Sequence, residues 1–229
     1  MITHMKDFSD VDRRMSVGSL PSGTVRRQGF YRTYAKRALD IGLILLAAPF
    51  VLPLIGAIAL FLVLGGTTPF YSQPRLGRGG QVFRLLKIRT MVPNAEELLQ
   101  AHLARDPQVR QEWDSTQKLR RDPRITRMGA FLRKSSLDEL PQFWNVLKGE
   151  MSLIGPRPMM VEQKSLYPGT AYYALRPGIS GSWQVSDRNE SSFADRAKFD
   201  TDYHNTLSFR TDLRIFFCTF GVILRGTGC

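Results

Sequence analysis

The longest apolar stretch of the chain runs without a charged residue from Ile41 to Leu64, IGLILLAAPFVLPLIGAIALFLVL. As a straight helix it would be about 36 Å long, which is enough to cross a hydrocarbon core about 30 Å thick. Pro49 and Pro53 lie near its middle, where each proline removes a backbone hydrogen bond and clashes with the preceding turn. We therefore expect two half-helices joined by a break at Ala48, Pro49 and Pro53, each half too short to span a membrane.

Basic residues flank this stretch on both sides. Those before it are Arg26, Arg27, Arg32, Lys36 and Arg37, and those after it are Arg75, Arg78, Arg84, Lys87 and Arg89. Because loops that remain in the cytoplasm carry Lys and Arg, positive charge at both ends predicts that both ends stay on the same side. The pattern favours a re-entrant hairpin over residues 34–66. An ordinary kinked spanning helix and a buried helix of a soluble protein are the alternatives.

The remaining patterns predict a mixture of helices and short strands. Val82–Thr90 has the composition of a strand, with Lys87 and Arg89 on one side of it. Asn94–Gln117 resembles a helix that opens with an N-cap and two acids. Leu213–Leu224 is apolar but too short to span, so it is either an interfacial helix or a core helix.

These elements together predict an α+β fold that is mostly helical. We expect a flexible tail over residues 1–33, the membrane hairpin over 34–66, and a compact domain over 67–229. That domain would carry amphipathic interfacial helices, short strands and a C-terminal membrane-associated helix. At 229 residues the chain is long enough for one substantial domain and an appendage.

The composition restricts the chemical class of the binding partner. A formal net charge of +12 indicates a negatively charged partner, which is a nucleic acid, an anionic lipid or a phosphorylated substrate. No nucleic-acid-binding motif is recognisable, so a nucleic-acid partner is not expected. The two cysteines and three histidines have neither disulfide nor zinc spacing; they are Cys218, Cys229, His4, His102 and His204.

Two adjacent acids, Asp138 and Glu139, lie within SSLDELPQFWN, just after a basic run. Ser136 and Glu139 match a capping box, and Pro141 suits a first helical turn. We expect the acids at a helix start, ionised by the helix dipole and by nearby arginines, with Gly149 ending the helix. Capping alone would account for such acids.

Arginines braced by prolines make a catalytic interpretation stronger. Arg157 lies between Pro156 and Pro158, and Arg176 precedes a Pro-Gly turn. Arg188 and Asn189 follow in the same stretch. Separately held arginines beside an acid pair suit a phosphorylated substrate, although each Arg-Pro alone is also an ordinary turn.

Together these motifs resemble those of the bacterial sugar transferases, the monotopic phosphoglycosyl transferases that start glycan assembly on a polyprenyl phosphate. The resemblance covers nearly the whole chain from Tyr34 onward. The matching stretches are KRALDIGLILLAAPF, FRLLKIRTM, DPRITRMGAFLRKSSLDELPQFWNVLKGEMSLIGPRP and RPGISGSWQVSDRN. The chain is similar to the small subclass and, with its RGTGC ending, to exopolysaccharide-initiating galactosyl or glucosyl phosphate transferases. It has Ala48-Pro49 where the family commonly has Ser-Pro.

The resemblance implies a reaction at the acid pair. Asp138 would attack the β-phosphate of a UDP-sugar, UMP would leave, and undecaprenyl phosphate would take the phosphosugar. Glu139 would assist as a metal ligand or a base, with Mg²⁺ bound at Asp138 and Glu139. The candidates to bind the phosphates are Arg133, Arg157, Arg176 and Arg188, with Lys87 and Arg89 weaker ones.

The resemblance also places the protein at the cytoplasmic face of the bacterial inner membrane, with the lipid bilayer as a partner. The alternative is a membrane-surface adaptor without enzymatic activity, which binds anionic lipid through the same basic residues. The sequence identifies neither the sugar nor the oligomeric state, and it leaves a homo-oligomer open.

Overall fold

The protein is described here from a computed structural model, which describes residues 29–116, 119–186 and 193–224. The described part is mostly helical with a few short strands, as the sequence predicts. Most of the predicted tail, together with Arg188, Asn189 and Cys229, lies outside the described residues. Residues 31–33, the last of that tail, already belong to a π-helical turn, Tyr31–Ala35.

The apolar stretch forms helix α1, Lys36–Leu64. Helix α1 runs as one continuous helix through Pro49 and Pro53, so the expected division into two half-helices is not seen, and a bend at the prolines stays a prediction. Among the described residues, Tyr31–Leu64 is the helical segment long and apolar enough to cross a membrane, and it contains an 18-residue window with a mean hydropathy of 2.6. Only 6% of that apolar window is buried inside the protein, so α1 is not the core helix of a soluble protein.

Strands β1, Phe70–Leu76, and β2, Val82–Ile88, form an antiparallel hairpin directly after α1. The register pairs Arg75 with Phe83, so Arg75 shares one face of the hairpin with Phe83, Leu85 and Lys87. This is the face that packs on the rest of the protein, since Phe83 and Leu85 are buried.

Two helices follow where one was expected. Helix α2 is Ala95–Arg105, and helix α3 is Pro107–Thr116. Proline disfavours a helical residue before it, so the chain breaks at Asp106, which is extended. Asp106 Oδ1 then accepts from the backbone N–H of Gln108 at 2.8 Å and starts α3. Asn94 makes no capping hydrogen bond through its side chain.

The elements that carry the acid pair come next. Helix α4 is Arg127–Lys134, a 3₁₀ turn covers Leu137–Glu139, and helix α5 is Gln142–Lys148. Gly149 ends α5 with a positive φ of 85°, as predicted. The short parallel strands β3, Ser152–Ile154, and β4, Gly178–Ser180, lie beyond it.

The remaining helices close the domain: α6, Ala171–Ala174; α7, Ser182–Val185; α8, Arg196–Thr206; and α9, Phe209–Leu224. Helix α9 has two different sides, because Ile215 is buried whereas Leu213, Phe217 and Phe220 are exposed. One side therefore packs on the domain core, and the other is free to contact an apolar surrounding.

Three hydrophobic clusters connect these elements. The first joins α1, β2 and α5 through Ile44, Phe83, Leu85, Val146 and Met151. The second gathers Leu76, Met159, Tyr167, Tyr172 and Ala197, and the third Ile154, Leu175, Tyr203 and Ile215. The first cluster fixes β2 against α5, and thereby places Lys87 beside the 3₁₀ turn.

Candidate active site

Asp138 and Glu139 lie in the 3₁₀ turn that precedes α5, and Lys87 reaches both of them. Lys87 Nζ is 2.7 Å from Glu139 Oε1 and 3.3 Å from Asp138 Oδ2. Lys87 is on the packed face of β2, two residues beyond Leu85. The two acids and the lysine that the sequence selected therefore form one charged cluster.

The predicted capping role of this stretch is wrong. Ser136 makes no capping hydrogen bond through its side chain and adopts a left-handed conformation, with φ of 56°. The helix starts at Gln142, after Pro141, so the acids precede it by a turn rather than opening it. Left-handed conformations cost free energy for residues other than glycine, and such residues are concentrated at functional sites. Here Ser136 turns the chain so that the acid pair meets β2.

Asp138 is buried, with 5% of its surface exposed, which corrects the expectation of a readily ionised acid at a helix start. Burial raises the pKa of Asp138, the positive charge of Lys87 opposes the rise, and the neighbouring Glu139 adds to it. Arg133 also favours the carboxylate. Asp138 is therefore a carboxylate that releases its proton less readily than an ordinary aspartate and depends on its cationic neighbours to do so.

Arg133 approaches Asp138 from the last turn of α4. Its Nε donates to Thr90 Oγ1 at 2.9 Å, and burial lowers the pKa of its guanidinium. Helix α4 lies close to Thr90 because Gly129 has no side chain: a Cβ there would meet the carbonyl oxygen of Thr90 at 2.0 Å. The glycine is thus what allows Arg133 to lie beside the acid pair.

A narrow cleft opens beside the pair, and we call it the acid cleft. Its lining residues are Arg75, Leu85, Lys87, Glu139, Gln142, Arg157, Pro158, Gly178, Ile179 and Gln184. Arg157 comes from the segment after β3, where it lies between Pro156 and Pro158. The sequence thus identified Lys87, Glu139 and Arg157 in this cleft and missed Arg75, Gln142 and Gln184.

Two of the predicted phosphate ligands, Arg176 and Arg89, lie away from the acid cleft. Arg176 Nε donates to the carbonyl oxygen of Gly149 at 2.9 Å, and its charged neighbours are Arg37, Arg78 and Asp40. Arg89 follows the last residue of β2, donates to the carbonyl oxygen of Thr68 at 3.0 Å and lies over the ring of Tyr71. The structure therefore brings neither side chain to the acid pair. Arg188 lies outside the described residues.

A signal for Arg75 was present in the sequence. A hairpin that joins the QPRL and VFRLLKI segments in this register places Arg75 on the same face as Lys87. Arg196, which lies behind the cleft on α8, has no local signal, because only the tertiary fold brings α8 to the segment around Arg157.

The donor set for a divalent cation is small. No group of three or more His, Cys, Asp or Glu that could hold a metal ion occurs within the part of the chain that the structure describes. Mg²⁺ is often held by one or two carboxylates together with substrate phosphate and water oxygens. Asp138 and Glu139 fit that arrangement as oxygen donors, with the other positions left to a phosphorylated substrate.

Known proteins share this sequence pattern over most of the chain. A sequence model described as bacterial sugar transferase matches residues 31–226. The UDP-galactose-lipid carrier transferase of Erwinia amylovora is 44% identical over 197 residues, covering 85% of this chain and 41% of that protein. The undecaprenyl-phosphate galactose phosphotransferase of Salmonella typhimurium is 46% identical over 165 residues, covering 71% of this chain and 35% of that protein.

The lengths of these relatives differ from that of the chain. It spans less than half of the Erwinia and Salmonella proteins. The exopolysaccharide production protein ExoY of Sinorhizobium fredii is 41% identical over 202 residues, covering 85% of this chain and 87% of that protein. Because the family model matches most of the chain and the ExoY similarity extends over most of both proteins, the chain belongs to the bacterial sugar transferase family.

Proposed function

We propose that the protein transfers a hexose 1-phosphate from a UDP-sugar to undecaprenyl phosphate, with release of UMP, as the first membrane step of exopolysaccharide synthesis. The relatives in Erwinia and Salmonella are named for galactose transfer, and ExoY for exopolysaccharide production. UDP-galactose and UDP-glucose are accordingly the donors of choice. The observation that carries the proposal is the buried Asp138, which contacts Lys87 beside a cleft lined by arginines.

The proposed reaction has two displacements at one phosphorus atom. First, a carboxylate oxygen of Asp138 bonds to the β-phosphorus of the UDP-sugar, and the bond from that phosphorus to the bridging oxygen breaks. UMP leaves with the bridging oxygen and its electron pair. Second, a phosphate oxygen of the lipid attacks the same phosphorus, and the bond to Asp138 breaks. The carboxylate is restored, and the lipid carries a diphosphate-linked sugar.

Charge is the main obstacle to the first displacement. A carboxylate 4 Å from one phosphate charge is repelled by about 4 kcal/mol at an effective dielectric constant of 20. That penalty would slow the reaction by about a thousandfold. Lys87, Arg133 and Arg157 supply the opposing charge, since the first two surround Asp138 and the third lines the cleft.

The proposal includes Mg²⁺. Asp138 and Glu139 would hold it, and it would neutralise part of the charge on the diphosphate. Glu139 is about one-fifth exposed and forms part of the cleft wall, so it is accessible either as a metal ligand or as a base.

We further propose that α1 is a re-entrant hairpin bent at Ala48, Pro49 and Pro53, resting at the cytoplasmic face of the inner membrane. Its large apolar side chains are exposed, which favours an apolar surrounding. Residues 44 and 62 are about 27 Å apart along a straight helix. However, the chain near residue 44 and the chain near residue 62 are both connected to one short strand, β2.

Both ends of residues 44–62 are connected to β2. Ile44 belongs to the same hydrophobic cluster as Phe83 and Leu85 of β2. At the other end, the N–H of Thr67 donates to the carbonyl oxygen of Leu62, and Phe70 pairs with Ile88 of β2. A helix that crossed the bilayer between its two attachments would draw this hairpin and its buried charges into the hydrocarbon. Entry and exit on one side avoid that cost.

The activity is tested with purified protein, UDP-galactose or UDP-glucose, Mg²⁺ and undecaprenyl phosphate. We expect repeated turnover, measured as UMP release, to depend on the lipid. All UMP release should be lost in Asp138→Asn, while the variant still purifies with membranes and melts at a temperature close to that of the wild type. Membrane binding without UMP release from any UDP-hexose would instead indicate a surface adaptor.

The topology is tested by labelling cysteines in intact cells. In a background without Cys218 and Cys229, Phe30→Cys and Arg78→Cys place thiols at exposed positions before and after α1. The hairpin predicts that a membrane-impermeant reagent added outside labels neither thiol until the cells are opened. Labelling of one thiol alone from outside would show a spanning helix.

A further inference from the structure

Two buried amide side chains lie three residues apart on α5 and differ in their partners. Gln142 is 2% exposed and Asn145 is 1% exposed. Asn145 Oδ1 accepts from the N–H of Leu86 at 3.0 Å, and its Nδ2 donates to the carbonyl oxygen of Arg84 at 2.8 Å and to Glu150 at 2.7 Å. Asn145 is therefore satisfied within the fold, where it joins α5 to β2.

The amide of Gln142 has no such partners. Its side chain makes no hydrogen bond to any residue in the part of the chain that the structure describes. The unpaired side-chain atoms that the protein encloses completely belong, among the described residues, to Arg75, Gln184 and Arg196. Gln142 is not among them, and it lines the acid cleft. Its amide is therefore open to the cleft, with its hydrogen-bonding capacity left for a ligand.

The position of Gln142 brings it close to the acid pair. Residues three apart on a helix lie on the same face, so Gln142 is directed towards β2 as Asn145 is. Lys87 lies further along β2 than the contacts of Asn145, and it reaches both Asp138 and Glu139. Gln142 and Lys87 line the same cleft. Gln142 therefore lies on the wall of the cleft that carries the acid pair.

We propose that Gln142 binds a hydroxyl group of the hexose and so contributes to the choice of sugar. This inference rests on the proposed function and deepens it. In phosphoryl transfer the attacking and leaving oxygens lie roughly in line with the phosphorus, and the hexose is attached beside that line. UMP leaves and the lipid enters, whereas the hexose phosphate stays next to Asp138 in both steps. A side chain on the same wall as Asp138 therefore faces the hexose.

The chemistry of an amide suits a hydroxyl group better than a phosphate. The amide oxygen accepts and the NH₂ group donates, and a hydroxyl group can do both, whereas an ionised phosphate oxygen only accepts. The cleft already provides positive charge for phosphates from Arg75, Lys87 and Arg157. A buried amide that binds a hydroxyl group rejects an analogue without it, because the amide is then left unpaired.

Donors that each lack one hydroxyl group of the hexose test the contact. The value of kcat/KM for UMP release is measured with UDP-galactose, UDP-glucose and their deoxy derivatives. With the derivative that lacks the contacted hydroxyl group, we expect the wild type to lose about tenfold. Gln142→Met keeps the length of the side chain but cannot form the hydrogen bond. It should lose a similar factor with the parent sugar and no further factor with that derivative.

A nucleotide without sugar separates the hexose from the phosphates. UDP should inhibit the wild type and Gln142→Met with inhibition constants that agree within about twofold. A higher UDP inhibition constant in the variant would assign Gln142 to the phosphates, and equal losses with every donor would exclude a contact with one hydroxyl group. Either result would overturn the inference. Gln100→Met, at an exposed position on α2, is the matched control and should change none of these values.

Thermal melting tests the inference without any activity. Gln142→Met removes an amide that has no partner in the described fold, so the variant should melt at the wild-type temperature or above it. Asn145→Leu leaves the N–H of Leu86 and the carbonyl oxygen of Arg84 unpaired, and it should melt about 5 °C lower. If Gln142→Met melted as low as Asn145→Leu, Gln142 would be a structural amide and the inference would be wrong. A wild type that releases no UMP from any UDP-hexose would instead refute the proposed function.

Discussion

Two regions of the molecule are rich in arginine, and they use it in opposite ways. In the acid cleft, the buried Nε–H of Arg75 has no hydrogen-bond partner, and Arg75 has no carboxylate counterion, among the described residues. In the second region, which we call the helix anchor, Arg37, Arg176 and Asp40 join α1 to the end of α5. There the polar groups are matched by hydrogen bonds.

The helix anchor is a set of satisfied contacts. Arg37 donates to the carbonyl oxygens of Val146 and Leu147 at 2.5 and 3.0 Å, at the end of α5 where cations are favourable. Asp40 accepts from Ser152 Oγ at 2.7 Å and from the N–H of Leu153 at 3.2 Å. Arginines that are satisfied by carbonyls hold a fold together, whereas arginines left with free donors are prepared for a ligand.

The largest expected effect comes from replacing one arginine in each region by glutamine. Arg157→Gln should reduce the rate about 100- to 1,000-fold with little change in melting temperature, since it removes charge that stabilises the reacting phosphate. Arg176→Gln should leave the rate per folded molecule nearly unchanged and lower the free energy of unfolding by about 1 to 3 kcal/mol. UMP release and thermal melts of both variants check this.

The opposite result for Arg176→Gln would contradict this distinction between the two regions. If Arg176→Gln lost activity without losing stability, Arg176 would be a phosphate ligand, as the sequence alone suggests. Arg84→Gln serves as a control for removing one exposed positive charge.

The next effect concerns pH and Lys87. Asp138 attacks only as a carboxylate, so the rate falls as the pH drops through the pKa of Asp138, which burial raises above its ordinary value. Lys87 lowers that pKa, and Lys87→Met should therefore move the acid limb of the pH–rate profile to higher pH. We expect a loss of about tenfold or more near neutral pH, which shrinks as the pH rises.

The pH profile of the first half-reaction, followed by UMP release, measures this shift. A uniform loss at every pH would mean that Lys87 contributes by binding substrate and not by setting the pKa of Asp138. Arg89→Met, which removes a nearby cation that does not contact the acids, should leave the acid limb in place.

The smallest effect is an indirect one at Gly129. A methyl group there would meet the carbonyl oxygen of Thr90, so Gly129→Ala must displace α4. We expect a loss of about 1 to 3 kcal/mol of unfolding free energy and a weaker contact of Arg133 with Thr90. Gly221→Ala, which meets nothing within 4 Å on α9, should be neutral or slightly stabilising. Equal melting temperatures for the two variants would refute the close packing at Gly129.

Local patterns predicted much of the fold. The strand-like composition of Val82–Thr90 predicted β2, the apolar run predicted α1, and Gly149 predicted the end of α5. The errors arose where tertiary contacts overrode local preferences. Ser136 and Glu139 match a capping box, but packing of Asp138 against β2 places both acids in a 3₁₀ turn before the helix, with Ser136 directly before that turn.

The sequence predicted only part of the candidate site, because tertiary contacts bring the other residues to it. Asp138, Glu139 and Arg157 belong to compact motifs whose spacing is visible in one stretch of sequence. Arg75 could have been found from the register of the β1–β2 hairpin, whereas Arg196 comes from α8 and only the folded chain brings it to the carbonyl of Arg157. The similar Arg-Pro pairs at Arg157 and Arg176 cannot be distinguished by sequence, because their difference lies in which carbonyls surround them.

The covalent role of Asp138 is tested most directly by the mass of the intact protein after incubation with UDP-hexose and Mg²⁺ in the absence of undecaprenyl phosphate. The account predicts a gain equal to one hexose phosphate, located on the peptide that contains Asp138, absent from Asp138→Asn and reversed by added lipid phosphate. Full turnover by a wild type that never gains this mass, or the same gain in Asp138→Asn, would contradict it.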